Sequence, residues 1–278
     1  MTCVVFGASG LIGRCLLPSL AAATGDGEVI AISRHARAGD GVRWVAGRLP
    51  DRVRGLPRRV DTVVCLGPLD HFSAWFAATR LRGVATVVAM SSMSAESKHA
   101  SPVAAERDLS RRLRAGERRL QAACEAAGCR CVILRATLIY GGPEGGLERL
   151  AARARRWHVF PVPRGRGLRQ PVHVADLARA VLAALERRDA AGVIEAGGGE
   201  RLGVGEMFAR AGRTLAPGLP RVPLPGALLR ASARLWRRDV GIADRLDENL
   251  VADNGKLVGL LGVRPRRFLP GGGAGGVS

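Results

Sequence analysis

TCVVFGASGLIGR, residues 2 to 14, runs from a short apolar stretch through three glycines into a helix-forming one, and it decides the fold. Cys3-Val4-Val5-Phe6 has the β-branched and aromatic content of a buried parallel strand. Gly7, Gly10 and Gly13 follow at G-x-x-G-x-x-G spacing. The first glycine permits a tight turn, the second lets a phosphate approach the backbone, and the third lets helix pack on strand. A helix opening near Leu11 would aim unpaired N–H groups and the positive end of its dipole at a pyrophosphate. Gly7, Ser9, Gly10, Leu11, Ile12 and Gly13 are therefore the expected dinucleotide-binding loop, because strand before and helix after is the context this pattern requires.

The next signal lies at the end of the second strand, Glu28 to Ser33. An acidic residue there holds the ribose hydroxyls of NAD. This chain has Ser33-Arg34, with Arg37 close behind. A hydroxyl and a guanidinium suit the 2′-phosphate of NADP, so NADP is expected over NAD. Arginine is so frequent in this chain that its presence here also has a compositional reading.

The chain has 278 residues and a formal net charge of +19, and of its 43 basic residues only Lys98 and Lys256 are lysine. One reading is a solvated arginine surface; the other is a field that draws in anions such as nucleotides, RNA or acidic lipids. The arginines are scattered and aromatics for base stacking are scarce, which disfavours a nucleic-acid partner. No secretory signal precedes the first strand and no apolar run reaches the ~20 residues of a membrane span. A cytoplasmic protein is expected. Cys3, Cys65 and Cys131 fall in expected strands, and Cys124, Cys129 and Cys131 lie close together without a neighbouring histidine, so no metal site is expected.

Strands and helices then alternate. Val42 to Val45, Asp61 to Leu66, Ala85 to Met90, Arg130 to Leu138 and Gly192 to Ala196 read as strands. Leu11 to Ala23, Phe72 to Arg82, Pro102 to Ala127 and Leu177 to Leu185 read as helices. This pitch predicts an α/β fold with a doubly wound, Rossmann-type parallel sheet. Leu66 and Gly67 end the fourth strand beside the glycine turn and join the expected cofactor residues. Leu109, Leu113 and Leu120 share one helical face. Pro225 to Arg238 reads as a basic amphipathic helix, either packed in a second domain or touching a membrane surface.

Together these motifs resemble the extended short-chain dehydrogenases/reductases, the group of nucleotide-sugar epimerases and dehydratases. The likeness spans nearly the whole chain. It rests on GASGLIG (Gly7 to Gly13), VDTVVCLG (Val60 to Gly67), Ser91-Ser92, LRATLIYGG (Leu134 to Gly142), PVHVADLA (Pro171 to Ala178) and LGVRPRRF (Leu261 to Phe268). The resemblance implies a Rossmann domain over 1–140 and 170–199, a smaller substrate domain over 141–169 and 200–270, and a tail over 271–278. The substrate it implies is a small anionic metabolite such as a nucleotide-sugar. Tyr140, Arg169 and His173 are candidate substrate contacts, Arg135 is either an anion grip or a structural residue, and an oligomer is compatible with the family.

The family's catalytic signature is a Y-x-x-x-K pair on the helix after the fifth strand. Aligned on Glu117, those positions hold Leu109 and Leu113, and neither can transfer a proton. Tyr140 is the only tyrosine, and it belongs to another motif. Arg48 stands where relatives often carry an aspartate near the adenine. The chain thus resembles atypical members that keep the nucleotide fold without the usual acid/base pair. Candidate replacements are Ser91, Ser92, Ser94 and Lys98 in the loop after the fifth strand, since a lysine can be tuned toward neutral pH and an arginine cannot. The alternative for Lys98 is an exposed loop residue. Two functions follow as expectations: an NADP-dependent oxidoreductase or epimerase-like enzyme, or a non-catalytic NADP-binding redox sensor or assembly subunit.

Overall fold

A computed structural model describes the chain except residues 36–37, 40, 52, 80, 143–144, 226–245 and 272–278. Arg37, most of the basic segment Pro225 to Arg238 and nearly all of the tail lie outside the described residues.

Seven parallel strands form one sheet in the order β11-β6-β5-β4-β1-β2-β3. They are β1 (Thr2–Phe6), β2 (Glu28–Ser33), β3 (Arg43–Ala46), β4 (Thr62–Cys65), β5 (Thr86–Ser92), β6 (Arg130–Ala136) and β11 (Gly192–Ala196). The order reverses between β1 and β4, whose partners are Cys3 with Thr62 and Phe6 with Cys65. In such sheets ligands bind in the crevice at that reversal.

The two-residue period of β1 assigns its side chains to opposite layers. Cys3 and Val5 join the core built with helices α1 (Leu11–Thr24) and α6 (Val174–Glu186). Val4 and Phe6 join the core under α2 (Leu69–Ala78) and α4 (Ala104–Ala127). Phe6 packs there against Phe72 and Trp75, with ring centroids 5.5 and 4.5 Å away. The two outer helices approach closely because Gly116 of α4 faces the backbone of Asp70, where a Cβ would lie 3.3 Å from the Asp70 Cα.

The helix expected over Phe72 to Arg82 instead begins at Leu69, directly after Pro68, and ends before Thr79. Proline favours exactly such helix starts by fixing φ and lacking an N–H that the first turn would leave unpaired. The expected Pro102 helix is α4, and the serine loop before it carries a one-turn helix, α3 (Ser94–Ser97). β6 ends at Ala136, and Ile139–Tyr140 forms a separate short strand, β7, paired with β10 (Val172–His173).

A third cluster of buried residues lies off the sheet and includes Tyr140, Leu147, Phe160, Met207 and Phe268. It is built by α5 (Gly146–Trp157), β8 (Phe160–Pro163) and α7 (Val204–Leu215), and β8 pairs in parallel with β13 (Arg221–Leu224). A second small pair joins β9 (Leu168–Arg169) to β12 (Leu202–Gly203). α8 (Gly255–Gly259) leads into the Leu261 to Phe268 segment. Among the described residues no helix is long and apolar enough to cross a membrane.

Gly13 sets how closely α1 lies on its own turn: a Cβ there would meet the Ala8 carbonyl oxygen at 2.1 Å. Alanine gains ~1 kcal/mol over glycine in a free helix, but a backbone clash of this kind outweighs it. Gly13→Ala is expected to lower the unfolding free energy by ~2 kcal/mol or more, read as a reduced urea midpoint at unchanged m-value.

Candidate functional site

At the sheet reversal the chain turns at Gly7, whose φ is +73° and whose missing Cβ would fall 2.8 Å from the Gly67 nitrogen and 2.9 Å from the Leu66 carbonyl carbon. Only glycine combines that dihedral with that contact. The turn closes through a 3.0 Å bond from the Gly10 N–H to the Gly7 carbonyl, and α1 begins with Arg14 N–H donating to the Gly10 carbonyl at 3.0 Å. Gly10 supplies no side-chain cap, and the first turn of α1 holds no acidic residue. The N–H groups of Leu11, Ile12 and Gly13 therefore precede the first intrahelical bond and face the crevice end of the helix. This is a cradle for a phosphate.

Ser33 ends β2 beside that cradle. It is buried, its hydroxyl lies 3.4 Å from the Ser9 hydroxyl, and it accepts a 3.5 Å bond from the His35 N–H. Arg34 is exposed next to it. The turn, the end of β2 and the Leu66-Gly67 end of β4 are thus brought together, and no carboxylate ends β2. These residues fit a dinucleotide, with the pyrophosphate at α1 and the adenosine ribose toward Ser33.

The residues after β5 divide into two groups. Ser91 faces inward and donates to Glu117 Oε1 at 2.6 Å. Glu117 also receives Arg135 Nε at 2.9 Å and Nη2 at 2.6 Å, while Arg135 Nη1 reaches Glu96 at 2.7 Å. Arg135 stands opposite Ser91 on β6, so the ladder itself sets this contact. Both carboxylate oxygens of Glu117 and the fork of Arg135 are engaged within the protein, which makes Arg135 a structural residue. Lys98 is also not an exposed loop residue. It is 8% exposed and lies 3.7 Å from Glu106 Oε1, whose other oxygen accepts from Ser101 at 2.7 Å. Ser92 differs: it is half-buried at the strand's end and its hydroxyl accepts a 3.1 Å bond from the Ser94 N–H, which leaves the O–H hydrogen to donate.

Leu109 and Leu113 are half-buried on α4 and join none of the three apolar clusters, whereas Leu120 on the same helix is fully buried against the sheet. The expectation that all three lie in one core face therefore holds for Leu120 alone. A groove of about 570 Å³ runs along α4, lined by His99, Arg107, Ser110, Arg111, Arg114 and Arg118. It shares no residue with the glycine turn.

The three candidate substrate contacts act as fasteners. Tyr140 is 1% exposed; its hydroxyl donates to the Arg267 carbonyl at 3.2 Å and accepts from the Leu269 N–H at 3.3 Å, and its ring meets Phe268 and His173 edge-on. His173 caps α6, its Nδ1 accepting from the Ala175 N–H at 3.2 Å, while its Nε2 packs against Gly141. Arg169 Nη1 donates to the carbonyls of Leu168 and Glu248 at 2.9 and 2.5 Å. The inward-facing polar groups that sequence reasoning passed over belong to the same fastening. Asp176 is 1% exposed and takes the Arg266 N–H at 2.9 Å, Arg266 Nε at 3.0 Å and Arg179 at 2.7 Å. Gln170 and Asn254 bracket the Gly197-Gly198 backbone. The signal for Asp176 was its place in the PVHVADLA motif.

The fold defines a class, that of the extended short-chain dehydrogenases/reductases. Within it, residues 76–197 match the model of the NAD dependent epimerase/dehydratase family. The motif resemblance is thereby borne out. Among solved structures the chain is similar to MoeE5 in complex with UDP-glucuronic acid and NAD, with 23% identity, a TM-score of 0.71 and coverage of 96% of this chain and 95% of that one. It is similar to the UDP-glucose 4-epimerase of Thermotoga maritima at 18% identity and TM-score 0.72, covering 95% and 94%. The UDP-glucuronic acid 4-epimerase of Bacillus cereus in complex with NAD gives 16% identity and TM-score 0.70, again over 95% and 94%. No curated protein matches the chain in sequence.

Two expectations follow. Removing one partner of the Glu117–Arg135 pair strands a buried charge, so Glu117→Ala should cost ~3 kcal/mol or more in chemical denaturation. Burial first, and then the Arg266 charge, hold His173 below its ordinary pKa. The unfolded chain therefore takes up that proton more readily than the folded one, and stability is lost as pH falls below about 6.5. The thermal midpoint of the wild type should drop more between pH 7.5 and 5.5 than that of His173→Asn, which keeps a capping acceptor without the titrating ring.

Proposed function

We propose that the chain binds a nicotinamide dinucleotide across the crevice at the β1/β4 reversal and acts there as an oxidoreductase or epimerase-like enzyme on a nucleotide-sugar or similar anionic metabolite. The observation that carries this reading is the uncapped α1 terminus facing the Gly7 to Gly13 turn. The named neighbours, which hold NAD or UDP-sugars, support the same class of ligands. The Rossmann domain is proposed over 1–140 and 170–199, with the substrate side formed by 141–169 and 200–270.

NADP is the proposed form. Ser33 and the exposed Arg34 offer a hydroxyl and a cation where NAD-preferring folds place an acid. A bound nicotinamide supplies hydride exchange at its C4. In this chain Ser92, with a hydroxyl hydrogen to give, is proposed to hydrogen-bond the reacting substrate oxygen, with Ser94 fixing its rotamer. Lys98 enters as a fixed cation held by Glu106, anchoring the loop or the substrate's negative charge. Leu109 and Leu113 favour a second reading, a non-catalytic NADP-binding sensor or subunit, because they give the usual proton-transfer positions no proton to move.

Nicotinamide fluorescence titration tests the cofactor assignment. NADPH should bind at least ~10-fold more tightly than NADH, the value of one charge-assisted contact. Ser33→Asp should reverse the order. Equal affinities or tighter NADH binding in the wild type would contradict NADP, and failure of both to bind would overturn the reading altogether. Substrate-dependent oxidation of bound NADPH by nucleotide-sugars or their keto forms then separates enzyme from sensor. In an active enzyme, Ser92→Ala should lower kcat ~100-fold, and Lys98→Met should raise KM.

A further inference from the structure

The C-terminus of α4 brings three thiols together. Gly128 ends the helix in the left-handed conformation, with the Cys129 N–H bonded to the Cys124 carbonyl at 2.9 Å and the Gly128 N–H to the Glu125 carbonyl at 3.0 Å. This crossed pair of bonds sets the side chains of residues 124 and 129 against each other. Cys131 follows two residues along the strand, on the same side as Cys129. The Cys124 thiol is in hydrogen-bonding contact with both. All three cysteines are unbridged and belong to, or pack on, the core under α2 and α4.

The three differ in chemistry. Cys124 is 1% exposed, and hydrogen bonding with Cys129, then with Cys131, together with burial raises its pKa. Cys129 is 9% exposed, and the bond it receives from Cys124 lowers its pKa despite burial. Thiolate character follows the lowered pKa, so Cys129 is the nucleophile and Cys124 the neighbour with a proton. By contrast, burial pushes Cys3 and Cys65 up to about 12. Among the described residues no group of His, Cys, Asp and Glu has the arrangement of a metal site, which points to redox chemistry.

We propose that this cluster is a peroxide-oxidation site in which Cys129 and Cys124 are joined by a reversible disulfide. The Cys129 thiolate attacks one oxygen of hydrogen peroxide; the O–O bond breaks, an S–O bond forms, and the departing hydroxide takes a proton to become water. The Cys124 sulfur then attacks the Cys129 sulfenic acid, forming the S–S bond as the S–O bond breaks, and the Cys124 proton leaves with the second water. Two thiols lose two electrons and two hydrogens, and one peroxide becomes two waters. The resulting link ties the C-terminal end of α4 to the start of β6, and a thiol reductant reverses it. Cys131 stays reduced as a hydrogen-bonding neighbour.

Peptide mapping by mass spectrometry under non-reducing conditions, after the full-length chain is treated with hydrogen peroxide, tests this. A Cys124–Cys129 linked peptide lacking two hydrogens is expected, lost on treatment with dithiothreitol, while Cys3 and Cys65 stay unmodified. A sulfenic-acid trapping reagent should label Cys129 in the Cys124→Ser variant and leave Cys129→Ser unlabelled within the cluster. Should either variant fold poorly, the wild-type map decides alone. All three thiols still alkylatable after peroxide, a link through Cys131, or a sulfinic acid on Cys129 in place of a bridge would each overturn the proposal.

Discussion

The cofactor edge depends on one backbone contact, that of Gly7 against Leu66 and Gly67, where the ends of β1 and β4 meet at the reversal of strand order. Two parallel strands leaving a sheet in opposite directions open a crevice there, and the depth of the crevice is set by how closely the two backbones approach. A side chain at residue 7 would force them apart. The rest follows in sequence: the turn at Gly7 brings Gly10 over the helix axis, Gly13 lets α1 settle on Ala8, and the first-turn N–H groups face the crevice. The apolar layers on either side of the sheet hold the strand ends in place, but they do not themselves create the cradle.

A second set of contacts binds the off-sheet cluster to this edge, and it is polar. Asp176 at the start of α6 receives both the backbone and the side chain of Arg266, while Tyr140 clasps the backbone at Arg267 and Leu269. Buried polar groups of this kind cost free energy unless every hydrogen-bonding position is used. The pairing is correspondingly directional, so the Leu261 to Phe268 segment can dock in only one register. The Ser91–Glu117–Arg135 network plays the same part between β5, α4 and β6.

The sheet and its cofactor loop were legible in the sequence because their signals are local. A β-branched run, three glycines at fixed spacing and an apolar helix constrain the backbone within fifteen residues, and β2 and β11 were read to the residue. The off-sheet strands and α5 were not read, since two- to four-residue strands carry no periodicity to detect. The roles of Tyr140, His173, Arg169 and Arg135 were read from motif position as ligand contacts. Their partners lie as far as 129 residues away in the chain, and no local pattern announces whether a polar group faces a ligand or a distant carbonyl. Lys98 illustrates the same point, for its carboxylate partner Glu106 is eight residues on, across the start of another helix.

What sets this chain apart is the pairing of an intact dinucleotide cradle with leucines at positions 109 and 113, half-buried and outside every apolar cluster. The account holds that these leucines form an apolar wall beside the nicotinamide end of a cofactor anchored at Gly7 to Gly13, with Ser92 as the nearby hydroxyl. A crystal structure of the chain grown with NADP tests that claim most directly. It should show the pyrophosphate on the N–H groups of Leu11 and Ile12, the 2′-phosphate at Ser33 and Arg34, and the nicotinamide ribose against Leu113. A dinucleotide bound elsewhere, or a crevice closed by the protein's own side chains with no room for the cofactor, would contradict it.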